Sequence, residues 1–360
     1  MGSVVDAARR QHGVEVTVLR LLRGDSEDAL AGPVQYLAEV RGPVPPLGPR
    51  DGEIRPDPAR LPYAEPGGPA ADLAWADGAL ADLGRPRSAP AEQVRTWNLS
   101  SLWRLPTGGG AAWLKVVPPF FSHEGAVLGR LDPAVVPPLL AAAGPRVLLD
   151  EVPGEDRYGA CGPVLLRMVS LLVGLQAGWV HRVDELLALG VPDGRPARFA
   201  EAADATVARI GPQLDVGAWR ACDALVRGLP ERFAALERCG VPDTLVHGDF
   251  HPGNLRGDDE HLVLLDWGDC VVGHPLLDRA AFFERSPAPG WTEVVEHWDA
   301  LWRQAVPGCD PVRAARLLEP VAALRQASVY DAFLAAIEPS ERVYHAHDPS
   351  RWLASAARLA

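Results

Sequence analysis

TLVHGDFHPGNLRGDDEHLVLLDWGD, from Thr244 to Asp269, is the one strand-rich interruption in a helix-rich C-terminal half. Its polar residues are His247, Asp249, His251 and Asn254, followed by turn formers at Gly257–Glu260 and the apolar run HLVLL leading to Asp266. Turn residues between short extended runs predict a hairpin. Closing that hairpin brings Asn254 beside Asp266. An amide oxygen and a carboxylate on neighbouring backbone suit Mg²⁺, which takes a few hard oxygen ligands and leaves the rest of its shell to water and phosphate. Asp249, five residues before Asn254, then stands beside the metal without ligating it.

These intervals follow the H-x-D-x-x-x-x-N and D-x-G patterns of kinase catalytic loops. On His247-Gly248-Asp249, Asn254, Asp266-Trp267-Gly268-Asp269 and the downstream GHPLLD of Gly273–Asp278, the chain resembles the aminoglycoside phosphotransferase and choline kinase group of small-molecule kinases. Gly248 replaces the arginine of protein kinases, which fits an enzyme without a phosphorylated activation loop. The resemblance implies an α+β, two-lobe protein-kinase-like fold, with a small antiparallel-sheet lobe, a large helical lobe and a cleft. It also implies ATP or GTP as co-substrate with Mg²⁺, and a small-molecule hydroxyl as acceptor. It extends from Gln93 to the C-terminus and leaves residues 1–92 unexplained.

Lys115 is the single lysine in a chain whose 35 Lys and Arg residues are otherwise all arginine. A compact ammonium fits between phosphates where a broad guanidinium does not. Lys115 lies on the return strand of a hairpin built from VRTWNLSSLWRL (Val94–Leu105), a turn at Pro106–Gly110 and AAWLKVV (Ala111–Val117). The triple glycine Gly108–Gly110 fails the P-loop pattern, because Lys115 comes five residues later and Val116 follows it. The resemblance pairs Lys115 with Glu124 as the grip on the α/β phosphates. It makes Asp150, Glu151 and Val152, within LLDEVPG, a hinge that receives the base through backbone groups. Asn98, Ser100 and Ser101 occupy the stretch for phosphate-facing donors, without a G-x-G-x-x-G. Asp249 orients the acceptor hydroxyl and takes its proton late, while Asn254 and Asp266 hold Mg²⁺.

The other side chains have plainer readings beside these. Ser122 is expected to cap a helix carrying Glu124, Val127, Leu128 and Leu131. His251 supports the loop, and Asp269 and Asp278 serve equally well as structural hydrogen-bonding residues. A metal-dependent hydrolase could use His247, Asp249 and His251 with Asp266, but would leave Asn254 and Lys115 without roles. A nucleotide-binding pseudokinase would have no use for Asp249. Trp291, Trp298, Trp302 and Trp352 could cage a quaternary ammonium as in choline kinases, with core packing the default.

Three regions follow. Residues 1–92 form an accessory segment: a hairpin of Val14–Leu22 and Pro33–Val40 around an acidic turn, a Pro/Gly-dense connection over 41–69 and a helix over Ala71–Leu83. That hairpin is expected to extend the neighbouring sheet or cover the cleft's edge. Residues 93–153 form the sheet lobe and hinge, and 154–360 the helical lobe, with helices over Leu165–Gly190, within Gly217–Cys239 and from Pro275 onward. At 360 residues, 48% hydrophobic and 23% charged, the chain is an ordinary globular protein. A net charge of −12 repels a phosphate backbone, so nucleic acid is not an expected partner. No apolar run reaches the roughly 20 residues of a membrane span, and residues 1–13 lack a leader's apolar core, so a cytoplasmic protein is expected. Five scattered cysteines without a C-x-x-C pair are expected to be reduced and mostly buried. Residues 270–360 carry 11 acids against 9 arginines, so charge supports a polyamine acceptor only weakly. An aminoglycoside or amino-sugar-like compound leads the candidates, with a choline-type amino alcohol as alternative. Oligomeric state has no signature in the sequence.

Overall fold

In the strand Ser100–Thr107 every second residue is buried, the period of a sheet with one face on a core. It pairs antiparallel with Glu92–Trp97 on one side and Gly110–Val116 on the other. Arg146–Asp150 and then Leu139–Ala143 complete five strands. The computed structural model describes residues 2–24, 33–42, 56–258, 260–285 and 291–360.

Trp103, Leu105, Leu114 and Leu148 of this sheet pack with Leu73, Ala76 and Leu80 from the helix Gly68–Asp82. The i, i+3, i+7 spacing puts those three on one face of the helix, and each buried leucine contributes about 1.5–3 kcal/mol. The helix begins three residues before the expected start, because Gly67 adopts a left-handed conformation and Pro69 fits the first turn.

The N-terminal hairpin, Glu15–Gly24 with Val34–Arg41, is a two-stranded sheet of its own. It does not lengthen the five-stranded sheet by strand pairing. Instead the Gln93 amide accepts from Val18 N at 2.9 Å and donates to Val18 O at 2.7 Å, so one buried side chain stands in for a strand. The expected acidic turn falls largely on residues 25–32, and much of the Pro/Gly-dense connection on 43–55, outside the described residues. A helix over Gly2–His12 precedes the hairpin, unexpected from a short polar stretch. Gly13 ends it with φ +65° and an N–H to Arg9 O.

The chain divides into two compact units, and the first takes in residues up to Gly125, Pro138–Glu151 and, from far along the chain, Phe333–Ala346. In that late segment Glu341 accepts from Leu21 N at 2.9 Å and Glu338 pairs with Arg60 at 2.9 Å.

The second unit holds most of the helices. The helix expected over Leu165–Gly190 is two, Pro163–Trp179 and Val183–Ala188. At the break the Arg182 guanidinium lies 4.0 Å from the Trp179 ring and bonds Glu185. Likewise Val216–Arg227 and Leu229–Glu237 are separated at Gly228, with Pro230 in the second helix's first turn. Trp298 and Trp302 are fully buried, which is core packing. Ser122 does not cap the helix Glu124–Leu128: the helix begins two residues later, so the cap position falls on His123, and the Ser122 hydroxyl donates to Pro119 O. All five cysteines are free thiols, four of them buried. No described helix is long and apolar enough to cross a membrane.

Candidate active site

The strand Thr244–Val246 pairs with Val271–Gly273 and delivers the chain into the loop that carries Asp249. Two anchors hold this loop. Phe250 is fully buried, stacked on Phe282 at 5.2 Å and edge-on to Trp298 at 6.0 Å. On the other side the buried Asp278 carboxylate accepts from His247 N at 2.8 Å, Gly248 N at 2.7 Å and Gln176 Nε2 at 2.8 Å. Burial pushes the Asp278 carboxyl up, and those hydrogen bonds with nearby positive charge pull it back.

Gly248 has φ +88°, and a Cβ there would stand 2.2 Å from Asp269 O. Backbone cannot yield to such a contact, so glycine in place of the protein-kinase arginine is a packing requirement here. His247 bonds Leu265 O through Nε2 at 2.9 Å and accepts the Asp249 N–H on Nδ1 at 3.3 Å.

The hairpin continues through Leu255–Gly257 and Leu262–Leu264. Closing it sets Leu265 N on Asn254 O at 2.7 Å, which brings Asn254 next to Asp266. Asn254 Nδ2 donates to Asp249 O at 2.9 Å and to Asp249 Oδ2 at 3.1 Å, so its Oδ1 is turned the other way. Asp266 is the only described non-glycine residue with positive φ, at 60°, a conformation aspartate tolerates better than most. Trp267 plugs the core beneath it, 1% exposed, with its indole donating to Leu264 O at 2.9 Å. An amide oxygen and a carboxylate on adjoining backbone fit a magnesium ion. Among the described residues no three His, Cys, Asp or Glu side chains form a metal-holding group. With both His247 nitrogens on backbone groups, the hydrolase reading lacks its ligand set.

In the first unit Lys115 Nζ meets Glu124 Oε1 at 2.7 Å, with the two side chains 13% and 1% exposed. Glu124 is therefore an interior partner. Asn98 and Ser101 are buried as well. Asn98 Nδ2 donates to Glu341 O at 3.3 Å, Ser101 Oγ accepts from Trp103 Nε1 at 2.9 Å, and Ser100 Oγ from Trp97 Nε1 at 3.3 Å. The Asp150 carboxylate takes both Arg85 nitrogens, at 3.0 and 2.8 Å. Arg85 holds it below the usual carboxylate range, partly offset by burial. Glu151 meets Arg104 at 3.3 Å and donates its N–H to Ala111 O. In the second unit Val152 O accepts from Arg256 Nε at 2.7 Å.

Four residues that sequence reasoning missed or underrated stand around the loop. Asp278 and its partner Gln176 fix its amides. Burial lowers the pKa of Arg325, from the helix Pro311–Ala335, below the usual guanidinium value, and the charges of Asp278, Asp269 and Asp249 offset that only in part. Tyr158 stacks on His251. GHPLLD is a usable signal for Asp278; nothing in the sequence singles out Tyr158 or Arg325.

A family model described as the phosphotransferase enzyme family matches residues 98–315. Among solved structures, a macrolide 2'-phosphotransferase from Brachybacterium faecium is similar with a TM-score of 0.51 at 18% identity, covering 77% of this chain and 98% of that one. A GDP complex of aminoglycoside 2'-phosphotransferase-IIIa gives 0.55 at 15%, covering 80% and 98%. An ethanolamine kinase from Plasmodium vivax gives 0.52 at 12%, covering 72% and 78%. No curated protein matches the chain. These likenesses establish a kinase-like α+β fold, with an antiparallel sheet and a large helical part.

Proposed function

The chain belongs to the phosphotransferase enzyme family, and we propose that it moves the γ-phosphoryl group of ATP or GTP to a hydroxyl of a small molecule, an aminoglycoside or amino-sugar-like compound first among them. The P–O bond to the β-phosphate breaks and one to the acceptor oxygen forms. Asp249 orients that hydroxyl and receives its proton late, because a loose transition state asks more for positioning and charge neutralisation than for a strong base. Asn254 and Asp266 are the residues to hold Mg²⁺, which when bound supplies positive charge to the phosphate oxygens. Lys115, held by Glu124, supplies a second point charge. The stretch of Asp150, Glu151 and Val152 is the one to take the base, and that of Asn98, Ser100 and Ser101, whose Asn98 and Ser101 side chains are buried, is the one to meet the phosphates.

The observation that carries this reading is the Asn254 amide bonded to Asp249 with Asp266 on adjoining backbone. It joins a proton acceptor to a hard-oxygen cation site in one network. The GDP complex of a structural neighbour favours testing GTP beside ATP. An amino-alcohol acceptor is the second reading, favoured by the likeness to an ethanolamine kinase. Burial of Trp298 and Trp302 removes two of the four tryptophans that could have caged a choline head group. The test is release of ADP or GDP from the Mg²⁺-nucleotide across kanamycin, a macrolide, amino sugars, ethanolamine and choline, with Asp249→Asn as the blank. Acceptor-dependent release that vanishes in the blank is the expected result. Nucleotide stabilisation without release across the panel would favour a binding-only protein, and the absence of both stabilisation and release would overturn the reading.

A further inference from the structure

His251 has a side chain only 4% exposed, although it carries two polar nitrogens. Nδ1 accepts the Gly253 N–H at 3.0 Å, which puts the proton of the neutral ring on Nε2. Nε2 lies 3.5 Å from Asp249 Oδ2, the same oxygen to which Asn254 Nδ2 donates. Contacts at reacting groups are often long without substrate and tighten in the reactive complex. The Asn254 amide donates to this carboxylate oxygen and His251 Nε2 faces the same oxygen at 3.5 Å, so two side chains converge on it and bias the rotation of the group.

A second feature holds the imidazole in place. The Tyr158 ring stacks on His251 at 5.7 Å and 27°, while remaining 55% exposed itself. The backbone around it is tied to the loop. Asp156 pairs with Arg256, Glu155 with Gly257, and Arg157 N donates to Pro252 O at 3.1 Å. Gly253 gives the ring its room, since a Cβ there would come within 2.1 Å of the Tyr158 ring. A 55% exposed aromatic laid over a buried histidine leaves half its own surface to solvent, so core packing does not account for its place.

We infer that His251 is a positioning residue for Asp249, and that Tyr158 is the clamp that keeps its Nε2–H aimed at the carboxylate. The purpose of that orientation, meeting an acceptor hydroxyl, rests on the phosphotransfer reading; the hydrogen-bond geometry does not. Neither side chain touches the reacting atoms.

Two measurements separate the claims. A long-range ¹H–¹⁵N spectrum of the full-length protein labelled at histidine, with the signal assigned by its loss in His251→Gln, is expected to report the Nε2–H tautomer with Nδ1 as acceptor. An Nδ1–H tautomer overturns the inference whatever reaction the protein performs. Steady-state kinetics on the acceptor found in the panel is expected to give His251→Ala a kcat lower by roughly 10- to 100-fold, with the KM of both substrates within about threefold of wild type. His251→Gln, whose Nε2 reaches as far, should recover part of that loss. Tyr158→Ala and Gly253→Ala should lose kcat in the same sense, and Tyr158→Phe less than Tyr158→Ala. Unchanged kcat in His251→Ala, a loss carried by KM, or a Gln variant no better than Ala overturns the inference. A wild-type protein that turns nothing over sinks the phosphotransfer reading instead, and leaves the tautomer to decide the geometry.

Discussion

Replacing Asp278 with alanine removes the acceptor of the His247 and Gly248 amides, at 2.8 and 2.7 Å, and of Gln176 Nε2. His247 and Asp278 are 0% exposed, so water does not reach these donors in the intact fold. Each buried N–H left without a partner costs about 1–3 kcal/mol, hence about 2–6 kcal/mol for the two. Gln176 adds little, because its Nε2 keeps Pro275 O at 3.3 Å. Deleting the carboxylate also returns its desolvation penalty, the cause of its raised pKa, which brings the net loss to the lower half of that range, about 3 kcal/mol. Asp278→Asn should lose more than half as much, since its oxygen can serve one amide while its NH₂ opposes the other. Urea unfolding at pH 7 reads the change as a shift in midpoint at constant m. A loss below about 1 kcal/mol for Asp278→Ala would refute the idea that this carboxylate holds the loop carrying Asp249.

Burial, reinforced by the Glu338 charge, raises the Glu341 carboxyl to about 7, against the opposing bonds from Leu21 and Asn98 and the charge of Arg20. Its contribution to stability is full below the unfolded value near 4.5 and is lost as pH rises through about 7, a difference of about 3 kcal/mol. Glu341→Gln, which can still accept from Leu21 N, should flatten that dependence in melting curves between pH 5 and 8 and stabilise the protein at pH 8. Gly248→Ala should destabilise by more than the 1–2 kcal/mol or so of a left-handed alanine, because its Cβ would meet Asp269 O at 2.2 Å; a melting temperature at the wild-type value would contradict the packing argument. Lys115→Arg should fare no better than Lys115→Met, each losing roughly 100-fold or more in kcat/KM for the nucleotide. An active arginine variant would remove the reason given for the single lysine.

The loop from His247 to Asp266 is legible in sequence because its contacts are local. Asn254 reaches Asp249 five residues back, and the hairpin that joins Asn254 to Leu265 closes within a dozen residues. The Lys115–Glu124 pair is legible for the same reason, its partners nine residues apart. Asp278 is harder to read, since its role appears only when a chain 30 residues distant folds back to place two amides on it. Glu341 meets Leu21 across 320 residues, and no periodicity announces such a segment. Helix boundaries fail where apolar spacing runs on through a break, as at Val180–Arg182. Ser122 fails as a cap because the helix starts one residue later than its spacing suggests, at Glu124.

Transfer itself is the most direct test of the central claim. ATP or GTP labelled at the γ-phosphoryl group, incubated with Mg²⁺ and the acceptor panel, should pass its label to a hydroxyl acceptor in the wild-type protein. Transfer should stop when the metal is chelated, and in Asp249→Asn and Asp266→Ala, while Asp249→Asn still binds the Mg²⁺-nucleotide. Label passing undiminished in Asp249→Asn, or without any divalent metal, would contradict the roles assigned to Asp249, Asn254 and Asp266.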